Sequence, residues 1–190
     1  SMKRFGTGAI LNTTNGRNIL PTRNFKYGHY DEGMSISGEH MEEHELVGVK
    51  SSCMHCPVTC GRDVEVEGVG RVKGPEYETL ALLGSNLEIS NLKDINEWNY
   101  LADDLGMDTI SLGGTISFAM ELQEKGAFDV GVKFGDPAGL SELIRDIGHR
   151  KGVGDDLADG SRRMSERFGG AEFAMHVKGL ELSAYDPRGS

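Results

Sequence analysis

The chain has 190 residues, with 20 Lys and Arg against 30 Asp and Glu, and a formal net charge of −10. This length supports one domain with a sizeable core, and the acidic balance excludes a nucleic-acid backbone or an anionic membrane surface as a natural partner. No stretch approaches about 18 consecutive apolar residues, and the first ten residues lack the apolar region of a secretory signal, so we expect a cytoplasmic protein.

The first part of the chain is predicted to be a loop-rich, extended lead-in over residues 1–37, because Asn, Gly, Thr and Pro interrupt it every few positions. Residues 38–190 are expected to form one helical domain. Ser37 is a predicted N-cap for a helix that continues to about residue 47. After a cysteine-rich loop, the alternation of Val and charged residues in RDVEVEGVGRVKG predicts a short β-hairpin.

Helices are predicted for most of the remaining chain. Pro75 is expected at the first position of one helix, with Glu76 and Glu78 in its first turn, where the helix dipole favours negative charge. The stretch SNLKDINEWNYLADDLG has apolar residues spaced by three or four, which predicts a helix that begins after Ser90 or Asn91.

Asp108 is the predicted N-cap of a further helix over about 108–125. The pair Gly113 and Gly114 inside this helix predicts that another element approaches it closely. Two more helices are predicted, one in PAGLSELIRDIGHRKG and one in GDDLADGSRRMSERFGG. The predicted fold class is therefore mainly α, a multihelical domain with one small β-hairpin after the cysteine loop.

All three cysteines lie close together, at Cys53, Cys56 and Cys60. An odd number of closely spaced thiols does not suit a disulfide framework and indicates a metal or cluster site. The spacing CxxCxxxC is compatible with an iron–sulfur cluster, with a zinc site completed by His55 or His44, or with thiols that hold no ligand. The zinc alternative would make the chain a metal-stabilised helical interaction module.

The stretch HMEEH, from His40 to His44, has the form HxxEH found in inverted zinc peptidases. A pattern with three fixed positions arises easily by chance in an acidic helix. The favoured interpretation is therefore a solvated helix face with two ordinary histidines.

Two other stretches carry candidate site carboxylates. GPEYET places Glu76 and Glu78 at a helix start, where they either complement the helix dipole or act as a general acid or base in a cavity. DDLGMD, residues 103–108, joins two helices and can be explained as a helix end followed by a cap. Its carboxylates could instead accept hydrogen bonds from the N–H groups of a heterocyclic ligand.

Five motifs in this order and spacing resemble the tungsten-dependent aldehyde ferredoxin oxidoreductases. They are LPTRNF (20–25), CMHCPVTCGR (53–62), KGPEYET (73–79), DDLGMD (103–108) and KGLELSAYDPRG (178–189). The similarity extends over essentially the whole chain. It indicates a middle piece of such an enzyme, comprising the helical second domain and the lead-in to the third.

The resemblance implies a [4Fe-4S] cluster bound by Cys53, Cys56 and Cys60, with its fourth ligand outside this chain. It implies that Glu78, or with less support Glu76, is an acid near the metal that handles protons. The activity implied for the longer enzyme is oxidation of aldehydes to carboxylic acids, with electron transfer to ferredoxin. Because the missing N- and C-terminal domains would complete both sites, we expect the isolated chain to be inactive.

The resemblance also implies that Asp103, Gly106 and Met107 contact one pterin of a tungsten or molybdenum bis-pterin cofactor, with Met in place of the usual Leu. Some family members form a homodimer through a metal held by an ExxH pattern. Here Glu97 is followed by Tyr100 where the His would stand. We expect a homodimer, where one forms, not to depend on that metal.

Overall fold

The computed structural model describes residues 2–45 and 52–189. The helices in these residues are α1 (Met2–Phe5), α2 (Ile10–Gly16), α3 (Gly38–His44), α4 (Tyr77–Leu82), α5 (Leu92–Asp104), α6 (Thr109–Glu124), α7 (Leu140–His149), α8 (Val153–Leu157) and α9 (Gly160–Phe168). Short 3₁₀ turns lie at Gly6–Ala9, Asp31–Ile36 and Ser85–Leu87. Over the described ranges, no helix is long and apolar enough to cross a membrane.

Two small antiparallel hairpins accompany the helices. The first pairs β1 (Asp63–Val66) with β2 (Gly70–Lys73) in the predicted place, with Val64 opposite Val72. The second pairs β3 (His176–Val177) with β4 (Leu180–Glu181) and was not predicted, because strands of two residues are too short to show an alternating pattern. The prediction of a mainly α fold with a small hairpin after the cysteine loop is confirmed.

Helix α6 lies at the centre of the molecule. Residues 112–120 of this helix are buried without interruption. A helix that is buried on every side must be enclosed by other elements. Helices α4, α5, α8 and α9, together with β4, pack around it.

The glycine pair in α6 allows the closest of these contacts. A Cβ atom at Gly113 would lie 2.6 Å from the carbonyl oxygen of Leu82 in α4. A Cβ atom at Gly114 would lie 3.1 Å from Cβ and Cγ of Glu181 in β4. The predicted close approach to this face is therefore confirmed, and two different elements make it.

Three predicted helix starts are confirmed by their capping geometry. The side chains of Ser37, Asn91 and Asp108 each accept a hydrogen bond from a backbone N–H in the first turn of the following helix, at 3.1, 3.1 and 2.7 Å respectively. These bonds satisfy donors that the helix itself leaves free. Helix α3 ends at His44, and the last predicted residues of this helix, 46 and 47, lie outside the described residues.

The lead-in differs from its prediction. Residues 2–16 are largely helical rather than extended, and Leu11, Leu20, Phe25 and Ile36 are buried in the same core as α4 to α7. Tertiary packing overrides the weak helix propensity of Asn, Thr and Gly in this segment. The domain boundary at residue 37 stays a prediction.

Two helix boundaries also differ. Helix α4 begins at Tyr77 rather than at Pro75, because Glu76 has the extended backbone of an N-cap residue. The single helix predicted after residue 153 is divided into α8 and α9. The division falls before Gly160, where the backbone N–H and hydroxyl of Ser161 both donate to the buried carboxylate of Glu181, at 2.8 and 2.7 Å. The carboxylate of Glu181, which is distant in the sequence, therefore caps the start of α9, and the local sequence does not indicate this start.

The contact between α6 and α4 can be tested with Gly113→Ala. We expect the free energy of unfolding to fall by about 1–3 kcal/mol, because the new methyl group would overlap a backbone carbonyl that cannot move freely. Gly114→Ala is the matched control, since its methyl group meets a side chain and the gain in helix propensity of about 1 kcal/mol offsets the crowding. Urea denaturation measures both, and an equal or larger loss for Gly114→Ala would contradict the assignment.

Candidate functional site

A cleft of about 210 Å³ lies where β2 ends, α4 begins and α5 passes into α6. Glu76, Glu78, Asp103 and Met107 all line it. The structure thus brings together residues from two motifs that are well separated in the sequence. Gly106 is not part of the lining. The lining is completed by Lys73, Gly74, Thr79, Asn99, Asp108, Thr109 and Ile110.

The turn between α5 and α6 forms one wall of this cleft. Two hydrogen bonds end helix α5. The N–H of Met107 donates to the carbonyl of Ala102 at 2.8 Å, and the N–H of Gly106 donates to the carbonyl of Asp103 at 3.2 Å. This is a Schellman motif, and it requires the left-handed backbone that Gly106 has, with φ of 70°. Gly106 therefore shapes the turn that carries Asp103, Met107 and Asp108.

Glu78 faces the cleft from the first turn of α4 and is half-buried. Its Oε2 atom accepts a hydrogen bond from the backbone N–H of Ala184 at 2.7 Å. Burial raises the pKa of Glu78 above its ordinary value, and the negative charge of Asp108 raises it further, whereas the Ala184 N–H lowers it. Glu78 is therefore a carboxyl group whose proton is held to higher pH than usual.

Glu76 occupies the N-cap position of α4 and is held differently. Its Oε2 atom accepts a hydrogen bond from the hydroxyl of Thr7, near the start of the chain. The same Thr7 oxygen accepts a bond from the backbone N–H of Tyr77 at 2.9 Å. Glu76 and Thr7 together fix the start of α4, which is a structural use of that carboxylate.

The cysteine loop contains Cys53, which is exposed, and Cys56 and Cys60, which are half-buried. The backbone N–H of Cys56 bonds to the carbonyl of Cys53 at 3.0 Å, which closes a tight turn at the start of the loop. His55, with φ of 61°, lies inside that turn. The donor chemistry, three thiols on one short loop, suits iron or zinc.

The base of the cysteine loop is fixed by Arg62, whose side chain is buried. Its guanidinium donates to the carbonyls of Thr59 and Gly61 within the loop, at 2.9 and 2.7 Å. It also donates to the carbonyls of Arg4 and Met2 in α1, at 3.3 and 3.1 Å. Arg62 therefore attaches the loop to the beginning of the chain.

The thiols are not assembled around one point. Over residues 2–45 and 52–189, no group of three or more His, Cys, Asp and Glu side chains is arranged so that it could hold a metal ion. This arrangement supports neither a zinc site that combines the cysteines with His44 or His55 nor a preformed cluster site on the three thiols. The rings of His40 and His44 lie 4.3 Å apart on α3, and the same finding gives no support to a peptidase site.

Glu97, which the resemblance connects with a dimer metal, lies on the surface of α5. It forms an ion pair with Arg145 of α7 at 3.3 Å. Both side chains are exposed, so the pair contributes little to stability.

Sequence reasoning did not find the two contacts that hold the candidate carboxylates. Thr7 and Ala184 are separated from Glu76 and Glu78 by 69 and 106 residues respectively. Neither residue type is typical of a catalytic site. The only sequence signal is that Ala184 belongs to the motif KGLELSAYDPRG.

The fold recurs in a larger protein. A solved structure described as the active site complex BamBC of benzoyl coenzyme A reductase, in complex with 1,5 dienoyl-CoA, matches 97% of this chain and 28% of that chain, with a TM-score of 0.73 and 22% sequence identity. The mainly helical architecture of this chain therefore also occurs within a longer chain.

Sequence comparison defines the family. The family model "Aldehyde ferredoxin oxidoreductase, domains 2 & 3" matches residues 1–190. Tungsten-containing aldehyde ferredoxin oxidoreductases of Pyrococcus abyssi (strain GE5 / Orsay) and Pyrococcus horikoshii (strain ATCC 700860 / DSM 12428 / JCM 9974 / NBRC 100139 / OT-3) are each 43% identical over 198 residues, covering 100% of this chain and 32% of each relative. The chain belongs to the aldehyde ferredoxin oxidoreductase family, and it spans about a third of the length of these relatives.

The raised pKa of Glu78 predicts a pH-dependent effect of Glu78→Gln on stability. In the unaltered chain, the protonated form of Glu78 favours the folded state below the ordinary value of 4.5, and this contribution is lost as the pH rises through the higher folded value. Gln keeps an acceptor for the Ala184 N–H but does not titrate. The free energy of unfolding of the variant should therefore rise relative to the unaltered chain as the pH increases from 4.5 through the raised pKa.

Urea denaturation of both proteins across this pH range measures the difference. A difference that stays constant or falls with pH would contradict the raised pKa.

Proposed function

We propose that this chain is the cluster-bearing and pterin-contacting part of an enzyme that oxidises aldehydes to carboxylic acids and passes the electrons to ferredoxin. The observation that carries the proposal is the cleft in which Glu78 and Glu76 meet Asp103 and Met107. Membership of the family and the word tungsten in the names of its relatives support a tungsten cofactor for the longer protein, with molybdenum as the alternative metal.

The residues that would hold the two cofactors lie on different parts of the chain. Cys53, Cys56 and Cys60 would bind a [4Fe-4S] cluster through three thiolates, with the fourth ligand outside this chain. When bound, the bis-pterin metal supplies the two-electron oxidation of the aldehyde carbon and the cluster supplies a path for single electrons.

The α5–α6 turn would bind one pterin. The carboxylate of Asp103 is exposed beside the cleft and can accept hydrogen bonds from ring N–H and amino groups. Gly106 has no side chain, and no atom lies within 4 Å of the position that a Cβ atom would occupy there, so a planar ligand can approach this backbone closely. Met107 provides an apolar contact of about the volume of the usual Leu.

Glu78 is the residue that would handle protons. Oxidation of an aldehyde with one water molecule yields a carboxylic acid, two protons and two electrons, so a base at the cleft is needed and two ferredoxins accept one electron each. Because its pKa is raised, Glu78 holds a proton more readily than an ordinary carboxyl group and is suited to accept one in the cleft. Glu76 has less support because its carboxylate is engaged by Thr7.

The charge of the cleft favours release of the proposed product. Among the residues that the structure describes, the cleft is lined by one cation, Lys73, and by the carboxylates of Glu76, Glu78, Asp103 and Asp108. A neutral aldehyde enters such a cleft without electrostatic cost, whereas its anionic carboxylate product is repelled. Because further residues of both cofactor sites would come from outside the chain, we infer that the 190-residue chain alone does not oxidise aldehydes.

The cluster assignment can be tested by mixing the chain anaerobically with iron and sulfide. We expect a brown protein with a reducible cubane signal in low-temperature electron spin resonance, and loss of that signal in Cys56→Ser. Arg62 is unchanged in this variant, so the loop keeps its attachment. Uptake of one tightly held zinc in place of any cluster would instead support the zinc module, and would contradict the proposal.

The proton role can be tested in the longer protein, in which this chain is joined to the segments that its relatives carry outside the matched third. We expect Glu78→Gln to lower kcat for aldehyde oxidation by about 10²- to 10⁴-fold, because the base is lost while the shape is kept. Glu76→Gln is the matched control, with a smaller effect expected. Activity of Glu78→Gln close to that of the unaltered protein would contradict the assignment.

A further inference from the structure

The segment of residues 183–189, called the strap below, crosses the first turn of α4. Ala184 in the strap is fully buried. Its N–H donates to Oε2 of Glu78 at 2.7 Å, and its carbonyl accepts a hydrogen bond from the hydroxyl of Tyr77 at 2.5 Å. Tyr77 and Glu78 are consecutive residues of α4. Together they therefore bond to both peptide groups that flank the Cα atom of Ala184.

Tyr77 and Glu78 face different surroundings. Neighbouring residues on a helix point in directions about 100° apart, so their side chains do not contact each other directly. Tyr77 is 2% exposed and belongs to the core, whereas Glu78 lines the cleft. Through its two hydrogen bonds, Ala184 therefore links a core side chain, Tyr77, to a cleft side chain, Glu78.

The other attachments of the strap lead away from α4. The N–H of Asp186 donates to the carbonyl of Ile19 at 2.9 Å, and the guanidinium of Arg188 donates to the carbonyl of Phe25. Both contacts fix the strap to the lead-in. Apart from the Ala184–Glu78 bond itself, the hydrogen bond from the Tyr77 hydroxyl joins Ala184 to the first turn of α4.

We propose that Tyr77 is a positioning residue for Glu78, and that it acts by holding the Ala184 peptide so that its N–H stays on the Glu78 carboxylate. The proposal rests on the proton role proposed above for Glu78. Loss of the Tyr77 hydroxyl leaves the Ala184 carbonyl without this donor and allows the strap to move. The Ala184 N–H then bonds less well to the charged carboxylate, while the phenyl ring still fills the core.

The direction of the resulting change follows from these contacts. The Ala184 N–H lowers the pKa of Glu78 against the larger effect of burial, so weakening this bond should raise the pKa further. Four ionisable groups face Glu78 from outside the strap and are not altered by Tyr77→Phe: Lys73, Glu76, Asp103 and Asp108. Tyr185, in the strap, also lies near Glu78, and burial raises its pKa above the ordinary value, so it stays uncharged where a carboxyl group titrates.

The experiment is a carbon-13 NMR titration of the Glu78 carboxyl group in the 190-residue chain, with Glu78→Gln used to assign the resonance. Tyr77→Phe should move the midpoint upward by about 0.5–1 pH unit and increase hydrogen exchange at the Ala184 amide about tenfold or more. Tyr185→Phe is the matched control. It makes the same chemical change on a ring 5.2 Å from that of Tyr77, and should leave both readouts unchanged.

A second measurement needs no variant. In the unaltered chain, the Ala184 amide proton resonance should shift with the same midpoint as the Glu78 carboxyl group, which tests the Ala184–Glu78 bond that the proposal requires even if Tyr77→Phe does not fold. An amide that follows a different midpoint, or a folded Tyr77→Phe protein with an unchanged Glu78 midpoint, would overturn the proposal. Neither readout involves a cofactor or a substrate. If Glu78→Gln kept full activity in the longer protein, only the catalytic role of Glu78 would fail.

Discussion

The burial of α6 on all sides is the constraint on which the rest of the structure depends. Because residues 112–120 of this helix are buried on every side, α4, α5 and β4 must all pack against them. Gly113 admits the backbone of α4 and Gly114 admits Glu181 of β4. The first turn of α4, the end of α5 and the strap that follows β4 are thereby brought to the amino-terminal end of α6, where the cleft lies.

Both ends of the chain close this region. Thr7 reaches the start of α4 from one side and Ala184 from the other, so the two candidate carboxylates are held by residues that are remote in sequence. The strap is in turn fixed to the lead-in through Ile19 and Phe25. The position of Glu78 is therefore a property of the whole packed chain rather than of the motif GPEYET.

The sequence predicted those features that local chemistry decides. The caps at Ser37, Asn91 and Asp108 depend on one side chain and a backbone N–H within three residues, and the first hairpin depends on an alternation visible over a few positions. The helices of the lead-in, the division before Gly160 and the second hairpin depend on distant partners such as Glu181. Such contacts leave no periodic trace. For the site, spacing brought the two motifs into consideration but did not show that they share one cleft.

The two neighbouring carboxylates illustrate how the structure gives a physical reason for a preference that the family resemblance only implied. Glu76, at the N-cap, accepts a hydrogen bond from the hydroxyl of Thr7, and the oxygen of that hydroxyl accepts one from the N–H of Tyr77. A change in the charge of Glu76 would therefore disturb the start of α4. Glu78 lies two positions further on. Among the described residues, the only hydrogen bond that its carboxylate accepts comes from the backbone N–H of Ala184. Its second oxygen is left for a ligand in the cleft. A group that must change protonation during a reaction needs that freedom, and this is the physical reason to prefer Glu78.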